Sequence, residues 1–236
     1  MTDHVRGLHP ERAPDWLRPL LESVRDVDAR SLLCHRGVPP PTDGGRHAAV
    51  LVLFGEEPGH GPDVLLMERA STLRNHAGQV AFPGGGADPG DADAVATALR
   101  EAEEETGVEP SGVVPLAVLP ELFVPPSGFV VTPVIAHWER PVAVHAADPA
   151  ETAAVVRVPI AELADPANRL RVRHPSGVIG HAFTVAGLLV WGFTGGLLSA
   201  LLDRGGWARS WDTTRVVDLD AAWSTARGGR REVAGS

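Results

Sequence analysis

Apolar residues recur along the chain at two different spacings, which separate predicted helices from predicted strands. Residues 14–33 carry apolar side chains at positions 17, 20, 21, 24 and 27, a helical stripe that follows Pro14. Short apolar runs rich in β-branched residues predict strands at 47–55, 63–69, 113–123, 129–138 and 153–163. Residues 180–206 predict a strand that turns into a buried helix.

Proline and glycine divide these predicted elements. Residues 36–45, RGVPPPTDGG, predict a linker or loop, and Gly84–Gly86 predict a glycine-rich loop after the apolar residues 80–82. Strands around two or three helices indicate a mixed α/β sandwich. We predict an N-terminal helix and proline-rich loop at 1–45, a main domain at 46–205 and a C-terminal extension at 206–236, where little continuous pattern is visible.

Composition narrows the class of protein. The chain has 236 residues, of which 44% are hydrophobic and 22% charged, as in ordinary globular proteins. Its formal net charge of -9 argues against a protein that coats nucleic acid or an anionic membrane. An anionic substrate must therefore be bound by local cations. All the basic residues are arginine, which excludes lysine chemistry.

Cysteine usage and apolar runs indicate the compartment. The single cysteine, Cys34, excludes an intramolecular disulfide and a cysteine-only zinc site. The N-terminus has no apolar signal core, and residues 182–202 carry glycine and threonine at mid-segment, which favours a buried helix over a membrane span. We expect a cytoplasmic protein with no membrane partner.

Residues 91–108, DADAVATALREAEEETGV, predict a helix that Gly107 ends. At 100° per residue, Glu101, Glu104 and Glu105 fall within one arc of about 100°. Val95, Leu99 and Ala102, with Ala98 at the edge, form an adjacent apolar face that would pack on a sheet. Glu103 points away from the arc and is expected to be solvated.

This glutamate arc should destabilise an isolated helix. Like charges three or four residues apart each cost about 0.2–0.5 kcal/mol, and negative charge in the last turn opposes the helix dipole. A divalent cation would reverse both effects, and carboxylate ligands suit Mg²⁺ or Mn²⁺. A solvated acidic helix end is the alternative, and Gly84–Gly86, where backbone can approach a ligand closely, favour the cation.

Together these features resemble the Nudix hydrolases, whose box reads glycine, five residues, glutamate, seven residues and then R-E-U-x-E-E-x-G-U, where U is apolar. Residues 100–108 match every specified position of the second half. The first half departs from the pattern: the acid after Gly85 is Asp91, and eight residues separate it from Arg100.

A second motif resembles the coenzyme A diphosphatase branch of that family, which carries the same one-residue expansion. The motif is LLMERASTLRNHAGQVAFPGG at 65–85, and PPSGFVVTPV at 125–134 and WGFTGGLL at 191–198 are also similar to that branch. The resemblance covers about residues 47–203 and implies a Nudix-like α/β/α sandwich with a mixed sheet, of the α/β (α+β) class.

The resemblance also implies roles for single residues. Glu101, Glu104 and Glu105 would hold Mg²⁺ or Mn²⁺, with the Gly84 carbonyl as a backbone ligand, and Arg100 would orient Glu101. A carboxylate would activate the attacking water, for which Glu101 is the first candidate and Glu151 the second. An exposed loop acid is the alternative for Glu151.

The upstream motif implies substrate contacts. Arg69, Arg74 and His76 would bind phosphate groups, and Ser127 and Phe129 would line the pocket. The structural alternatives are a surface residue for each arginine, a loop anchor for His76 and a tight turn for 127–129.

The implied activity is hydrolysis of coenzyme A or an acyl-CoA to 3′,5′-ADP and (acyl) 4′-phosphopantetheine. The alternatives are a Nudix hydrolase acting on ADP-ribose, a dinucleotide or an oxidised nucleoside triphosphate, and a non-catalytic Nudix ligand sensor. A sensor is disfavoured because Arg100, Glu101, Glu104 and Glu105 are all present. The expected partner is a small nucleotide, and Nudix relatives are often homodimers.

Overall fold

The structure is a computed structural model that describes residues 7–32, 45–73, 76–125 and 127–233, with the backbone alone at 229–233. Arg74, Cys34 and most of the predicted 36–45 loop lie outside the described residues.

The N-terminal segment is helical but broken. Short 3₁₀ turns at Pro10–Arg12 and Asp15–Leu17 lead into helix α1, Arg18–Val24, and a separate helix α2, Ala29–Leu32. The prediction of one helix over 14–33 is wrong because Asp28 starts a new helical turn: its carboxylate accepts hydrogen bonds from the Ser31 amide at 2.8 Å and the Ser31 hydroxyl at 3.0 Å.

Eight strands form the main sheet. They are β1 Arg46–Glu57, β2 Gly61–Arg69, β3 Val80–Ala81, β4 Gly84–Gly86, β5 Val113–Val118, β6 Leu122–Val124, β7 Phe129–Trp138 and β8 Thr152–Pro159. Their order is β3-β2-β1-β7-β5, and β4 pairs with β1, β6 with β7 and β8 with β2. β1 and β7 are parallel and the other pairs antiparallel, so the sheet is mixed.

Three predicted boundaries need correction. The run 113–123 is two strands, because Leu119 leaves the ladder and bonds the Pro133 carbonyl instead. The run 153–163 stops at Pro159, where the short helix α4, Ile160–Ala164, begins. Gly84–Gly86 are not a loop but the strand β4, paired with Ala48–Val50 of β1.

Helices cover both faces of the sheet, as the α/β/α prediction required. Alternate residues of β1 point to opposite sides: Leu51 and Leu53 pack with the helix α3, Ala94–Thr106, and Val52 and Phe54 pack with α1 and with the helix α5, Gly192–Arg204. Both cores are nearly free of water, since Leu51, Val52 and Leu53 are fully buried.

A second, four-stranded sheet stands beside the first, in the order β11-β10-β9-β12. It contains β9 Arg169–Arg173, β10 Ile179–Val185, β11 Leu188–Val190 and β12 Val216–Asp218, and the helix α6, Leu219–Val233, packs on it. The segment 180–206 is therefore two strands and a helix, since Ala186 and Gly187 turn the chain with φ of 51° and 69°. The tail, which had little visible pattern, supplies β12 and α6.

No helix in the described ranges is long and apolar enough to cross a membrane.

Candidate active site

Helix α3 is fixed at both ends by its own sequence. The Asp93 carboxylate accepts a hydrogen bond from the Ala96 amide at 2.9 Å, and Gly107 adopts φ of 70° while its amide bonds the Glu103 carbonyl. Val95, Ala98 and Ala102 are buried against the sheet, and Glu103 is exposed as predicted. The acidic last turn is thereby held over strand β4.

Glu101 lies directly on the backbone of β4. A Cβ atom built on Gly85 would collide with the Glu101 carboxylate, so the missing side chain makes room for that group. The Glu101 side chain is 18% exposed, and its pKa is raised because burial penalises the charged form, against the opposing effect of Arg100. A carboxylate with a raised pKa is a better proton acceptor than one in water.

Glu105 is the most deeply placed acid of the turn. Its carboxylate accepts a hydrogen bond from the Gly84 amide at 2.8 Å and lies 3.8 Å from an Nη atom of Arg69. Burial raises the pKa of Glu105 to about 7, and the nearby charges of Glu101 and Glu151 also raise it. The repulsion between the Glu101 and Glu105 carboxylates would be relieved by a bound cation.

Arg100 ties the acidic turn to the β4 loop. Its guanidinium donates to both Asp91 oxygens at 3.0–3.1 Å, to Glu101 at 2.9 Å, to Glu104 at 3.1 Å and to the Gly86 carbonyl at 3.0 Å. Because the planar guanidinium donates several hydrogen bonds at fixed angles, it sets both the orientation and the position of these carboxylates. This geometry is what the predicted orientation of Glu101 by Arg100 requires.

Asp91, which was not among the site residues predicted from the sequence, is the main partner of Arg100. Besides Arg100, its carboxylate accepts hydrogen bonds from the Thr97 hydroxyl and the Asp88 amide, each at 2.9 Å. The guanidinium of Arg100 holds the pKa of Asp91 well below its usual range, the Asp88 amide adding to the effect. The signal available in the sequence was its position in the box, where five residues separate it from Gly85.

The remaining predicted residues lie around this centre at different distances. The carbonyl of Glu151 accepts from the Ala70 amide at 2.7 Å, while its side chain is exposed. His76, with φ of 58°, has Nδ1 2.9 Å from Oε1 of Gln79 and is exposed. The hydroxyl of Ser127 is engaged with the Val124 carbonyl at 3.1 Å, and the Arg46 guanidinium covers the Phe129 ring at 4.2 Å. Ser127 and Phe129 thus make a turn contact and a surface contact, and their pocket role stays a prediction.

Sequence comparison decides the family. A profile of the NUDIX domain matches residues 45–176, which is more than half of the chain and includes β1–β8 and α3. The chain belongs to the Nudix family. It is accordingly a Nudix-type diphosphatase, a hydrolase of nucleotide-derived substrates.

Bacterial relatives support this assignment. The chain is 42% identical over 163 residues to a protein of Cronobacter sakazakii described as an uncharacterized Nudix hydrolase NudL, a match that covers 66% of this chain and 81% of that one. A protein of the same description from Photorhabdus laumondii is 46% identical over 127 residues, covering 52% of this chain and 66% of the relative.

Two solved structures of Nudix proteins are similar to part of this chain. The Nudix hydrolase RenU from M. smegmatis is 27% identical, with a TM-score of 0.43 over 56% of this chain and 84% of that chain. The NUDIX domain of Shewanella oneidensis NrtR, solved with ADP ribose, is 21% identical, with a TM-score of 0.41 over 60% of this chain and 84% of that chain.

Nudix hydrolases generally need a divalent cation, and the donors present fit one. Among the described residues no three acidic, histidine or cysteine side chains already stand as a closed metal cluster, because Arg100 draws Glu104 to itself. The fit rests on the chemistry of the donors: Glu101 and Glu105 are carboxylates seated on the β4 backbone, with mutually repelling charge.

The glycines of β4 give a prediction. Gly85→Ala should leave the fold nearly intact, because the new Cβ meets only the movable end of Glu101, but it should lower kcat by about 10- to 100-fold by displacing that carboxylate. Steady-state kinetics and thermal unfolding of the same preparation would measure both effects.

Gly84→Ala is the contrasting variant. Its Cβ would clash with the Ala49 carbonyl and, at 2.6 Å, with the Val50 Cα. These are backbone atoms of β1, which cannot shift without disrupting the strand. We expect a clear fall in melting temperature. If Gly85→Ala unfolds as readily as Gly84→Ala, the space at Gly85 serves the fold and not Glu101.

Proposed function

We propose that the chain hydrolyses the diphosphate bond of coenzyme A or an acyl-CoA, giving 3′,5′-ADP and (acyl) 4′-phosphopantetheine. One observation carries the proposal: the segment 65–85, which resembles the coenzyme A diphosphatase branch, runs through β2, β3 and β4 and brings Arg69 to within 3.8 Å of Glu105. A cation at this place, on a protein of net charge -9, suits a substrate with several phosphate groups.

The Arg69 guanidinium is only partly satisfied by the described residues, which leaves it able to bind a substrate anion. Its Nε is buried and has no hydrogen-bond partner within the described residues, and its contact with Glu105 is longer than a hydrogen bond. A diphosphate oxygen would satisfy the guanidinium with paired hydrogen bonds. Arg74 and His76 belong to the same motif and are proposed as further phosphate ligands.

We propose Mg²⁺ or Mn²⁺ as the cation, held by Glu101, Glu104, Glu105 and the Gly84 carbonyl. When bound, such an ion neutralises diphosphate charge and lowers the pKa of a coordinated water. These carboxylates and the glycine backbone are oxygen donors, which both ions prefer.

The residues of the chain supply positioning and a proton acceptor. A water oxygen forms a bond to one phosphorus of the diphosphate, and the bond from that phosphorus to the bridging oxygen breaks, so each product keeps one phosphate of the diphosphate and 3′,5′-ADP keeps its 3′-phosphate as well. Glu101 accepts a proton from the water, which its raised pKa favours. Arg100 orients the Glu101 carboxylate through a hydrogen bond. Arg69 offsets the charge on the phosphate oxygens.

Glu151 is the second candidate for the proton acceptor. It is not in the box, but its charge raises the pKa of Glu105 and its backbone bonds the residue after Arg69. Activity in Glu101→Gln that disappears on adding Glu151→Gln would assign the role to Glu151.

The single cysteine and the acidic surface suit a reducing compartment, and we propose the cytoplasm.

The direct test incubates the full chain with coenzyme A, ADP-ribose, NADH and an oxidised dGTP, each with Mg²⁺ or Mn²⁺, and resolves the products by mass spectrometry. We expect metal-dependent 3′,5′-ADP and 4′-phosphopantetheine, formed faster than any other product. Cleavage of another substrate alone would keep the Nudix chemistry and overturn the reading of 65–85. Absence of all turnover would make the ligand sensor the better hypothesis.

A further inference from the structure

Helix α6 contacts the loop between β2 and β3, although the helix and the loop are far apart in sequence. Gly78 in that loop has φ of 66°, and a Cβ atom there would lie 3.0 Å from Nη2 of Arg227 and 3.6 Å from the Trp223 ring. The guanidinium therefore occupies the space where a side chain would be. A residue outside the matched range 45–176 thus stands beside the motif at 65–85.

The loop that Arg227 touches is bound to the active site through its backbone. The Gly78 amide donates to the Arg69 carbonyl at 3.1 Å, and the Arg69 amide donates to the Gln79 carbonyl at 2.9 Å. Gly78, which Arg227 contacts, is therefore hydrogen-bonded to Arg69, and the Arg69 side chain reaches Glu105. Arg69 is the one residue between Gly78 and the acidic turn. Arg227 is near the reaction centre without belonging to it.

Aromatic rings hold Arg227 in this place. Its guanidinium carbon lies 5.3 Å from the Trp223 ring centre, and Trp223 meets Trp191 edge-to-face at 6.1 Å. Trp191 in turn stacks on His174 at 5.9 Å. Trp191 opens the motif WGFTGGLL, which the hydrolytic chemistry does not otherwise use. Through the contact of Trp191 with Trp223, that motif helps to position Arg227.

Among the described residues, no acid neutralises the charge of Arg227. Within the described ranges no carboxylate oxygen comes within 4.0 Å of its guanidinium, and the side chain is exposed. Arg100 in the candidate active site, by contrast, is paired with Asp91 and Glu101. On a chain of net charge -9, an oriented cation next to a phosphate-binding motif favours an anionic ligand.

We propose that Arg227 binds a phosphate group of the substrate outside the scissile diphosphate. This inference rests on the proposed function, under which that group is the 3′-phosphate of coenzyme A. The scissile diphosphate is assigned to Glu105 and Arg69, whereas Arg227 stands against Gly78 of the adjoining loop and is assigned to a second phosphate on the same nucleotide. Arginine suits this contact because its paired donors match phosphate oxygens.

The experiment compares coenzyme A with dephospho-coenzyme A, which lacks the 3′-phosphate. Arg227→Ala should raise the KM for coenzyme A about tenfold, leave the KM for dephospho-coenzyme A unchanged and leave kcat unchanged for both, since one charged hydrogen-bond pair is lost. Arg227→Lys should restore part of the loss.

The matched control is Arg25→Ala, which removes one exposed positive charge at the end of α1 and should change neither KM. Thermal unfolding of every variant separates a binding effect from misfolding. An equal rise of both KM values, or no change in either, would overturn the role of Arg227.

Failure of the proposed function has a different signature. If the wild type hydrolyses neither compound, calorimetric titration with 3′,5′-ADP and 5′-AMP still tests the inference. Tighter binding of 3′,5′-ADP that Arg227→Ala abolishes supports it. Equal affinities in the wild type, or a preference that survives the substitution, would refute it.

Discussion

Replacing Glu105 by glutamine is expected to lower kcat by about 10²- to 10³-fold while the protein stays folded. The amide keeps the size of the side chain and an oxygen that can accept the Gly84 hydrogen bond, but it loses the charge that a divalent cation needs. Glu104→Gln should act in the same direction, although its exposed side chain contributes little to packing. Steady-state kinetics at saturating Mg²⁺ or Mn²⁺, with thermal unfolding of the metal-free protein, would measure both.

Glu103→Gln is the control for this prediction. It makes the same chemical change in the same helical turn, but its side chain is exposed and points away from β4. Its kcat should equal that of the wild type. A large loss of melting temperature in Glu105→Gln with kcat preserved would show that the buried carboxylate is structural.

The pKa of Glu105 predicts how the stability of the metal-free protein depends on pH. Folding raises this pKa from 4.5 to about 7, mainly by burial, so the folded state holds a proton that the unfolded state releases. The stabilisation from the protonated form is complete below pH 4.5 and is lost as the pH rises through about 7. At 1.36 kcal/mol per pKa unit, the loss in free energy of unfolding is about 3 kcal/mol.

Denaturant unfolding of the wild type and Glu105→Gln between pH 4.5 and 8, in the presence of a chelator, would test this. The difference between the two proteins isolates Glu105 from the histidines that titrate in the same range. Glu105→Gln should become the more stable protein as the pH rises. Parallel curves would show that the Glu105 carboxylate is not penalised by the fold.

Helix α3 could be predicted from the sequence because its determinants are local. Asp93 caps one end, Gly107 ends the other, and the apolar face repeats at helical spacing. Apolar positions between these limits can only face the sheet, and they do. The convergence of Glu101 and Glu105 followed from the same geometry.

The contacts of the candidate site join segments that are distant in sequence, and they could not be predicted from the sequence. Gly84–Gly86 appeared as a loop because glycine is rare in strands, yet β1 accepts them through its backbone. Neither the bond from the Gly84 amide to Glu105 nor the clamp of Arg100 on Asp91 is encoded by spacing alone. The resemblance to a family motif indicated the candidate residues, but only the structure showed their hydrogen-bond partners.

Within the second sheet, a strand in 180–206 was predicted from the sequence, but β9, β12 and the helix α6 that packs on them were missed. In β9 the alternation of polar and apolar residues is misleading, since Arg169 is buried with Leu170 and Val172. In α6 the buried positions Leu219, Ala222 and Ala226 have helical spacing, but two are alanines and give a weak apolar signal. The spacing at 219, 222 and 226 was the available signal.

The three cores of the molecule are completed in order along the chain, which matters during synthesis. The core under α3 has its last buried member at Trp138, the opposite core at Leu202 and the core of the second sheet only at Ala226. A ribosome therefore releases the glutamate helix and its sheet before it makes Arg227. A chain cut short after α5 would contain the candidate catalytic glutamates but lack the arginine proposed to select the substrate, and the core of its second sheet would be incomplete.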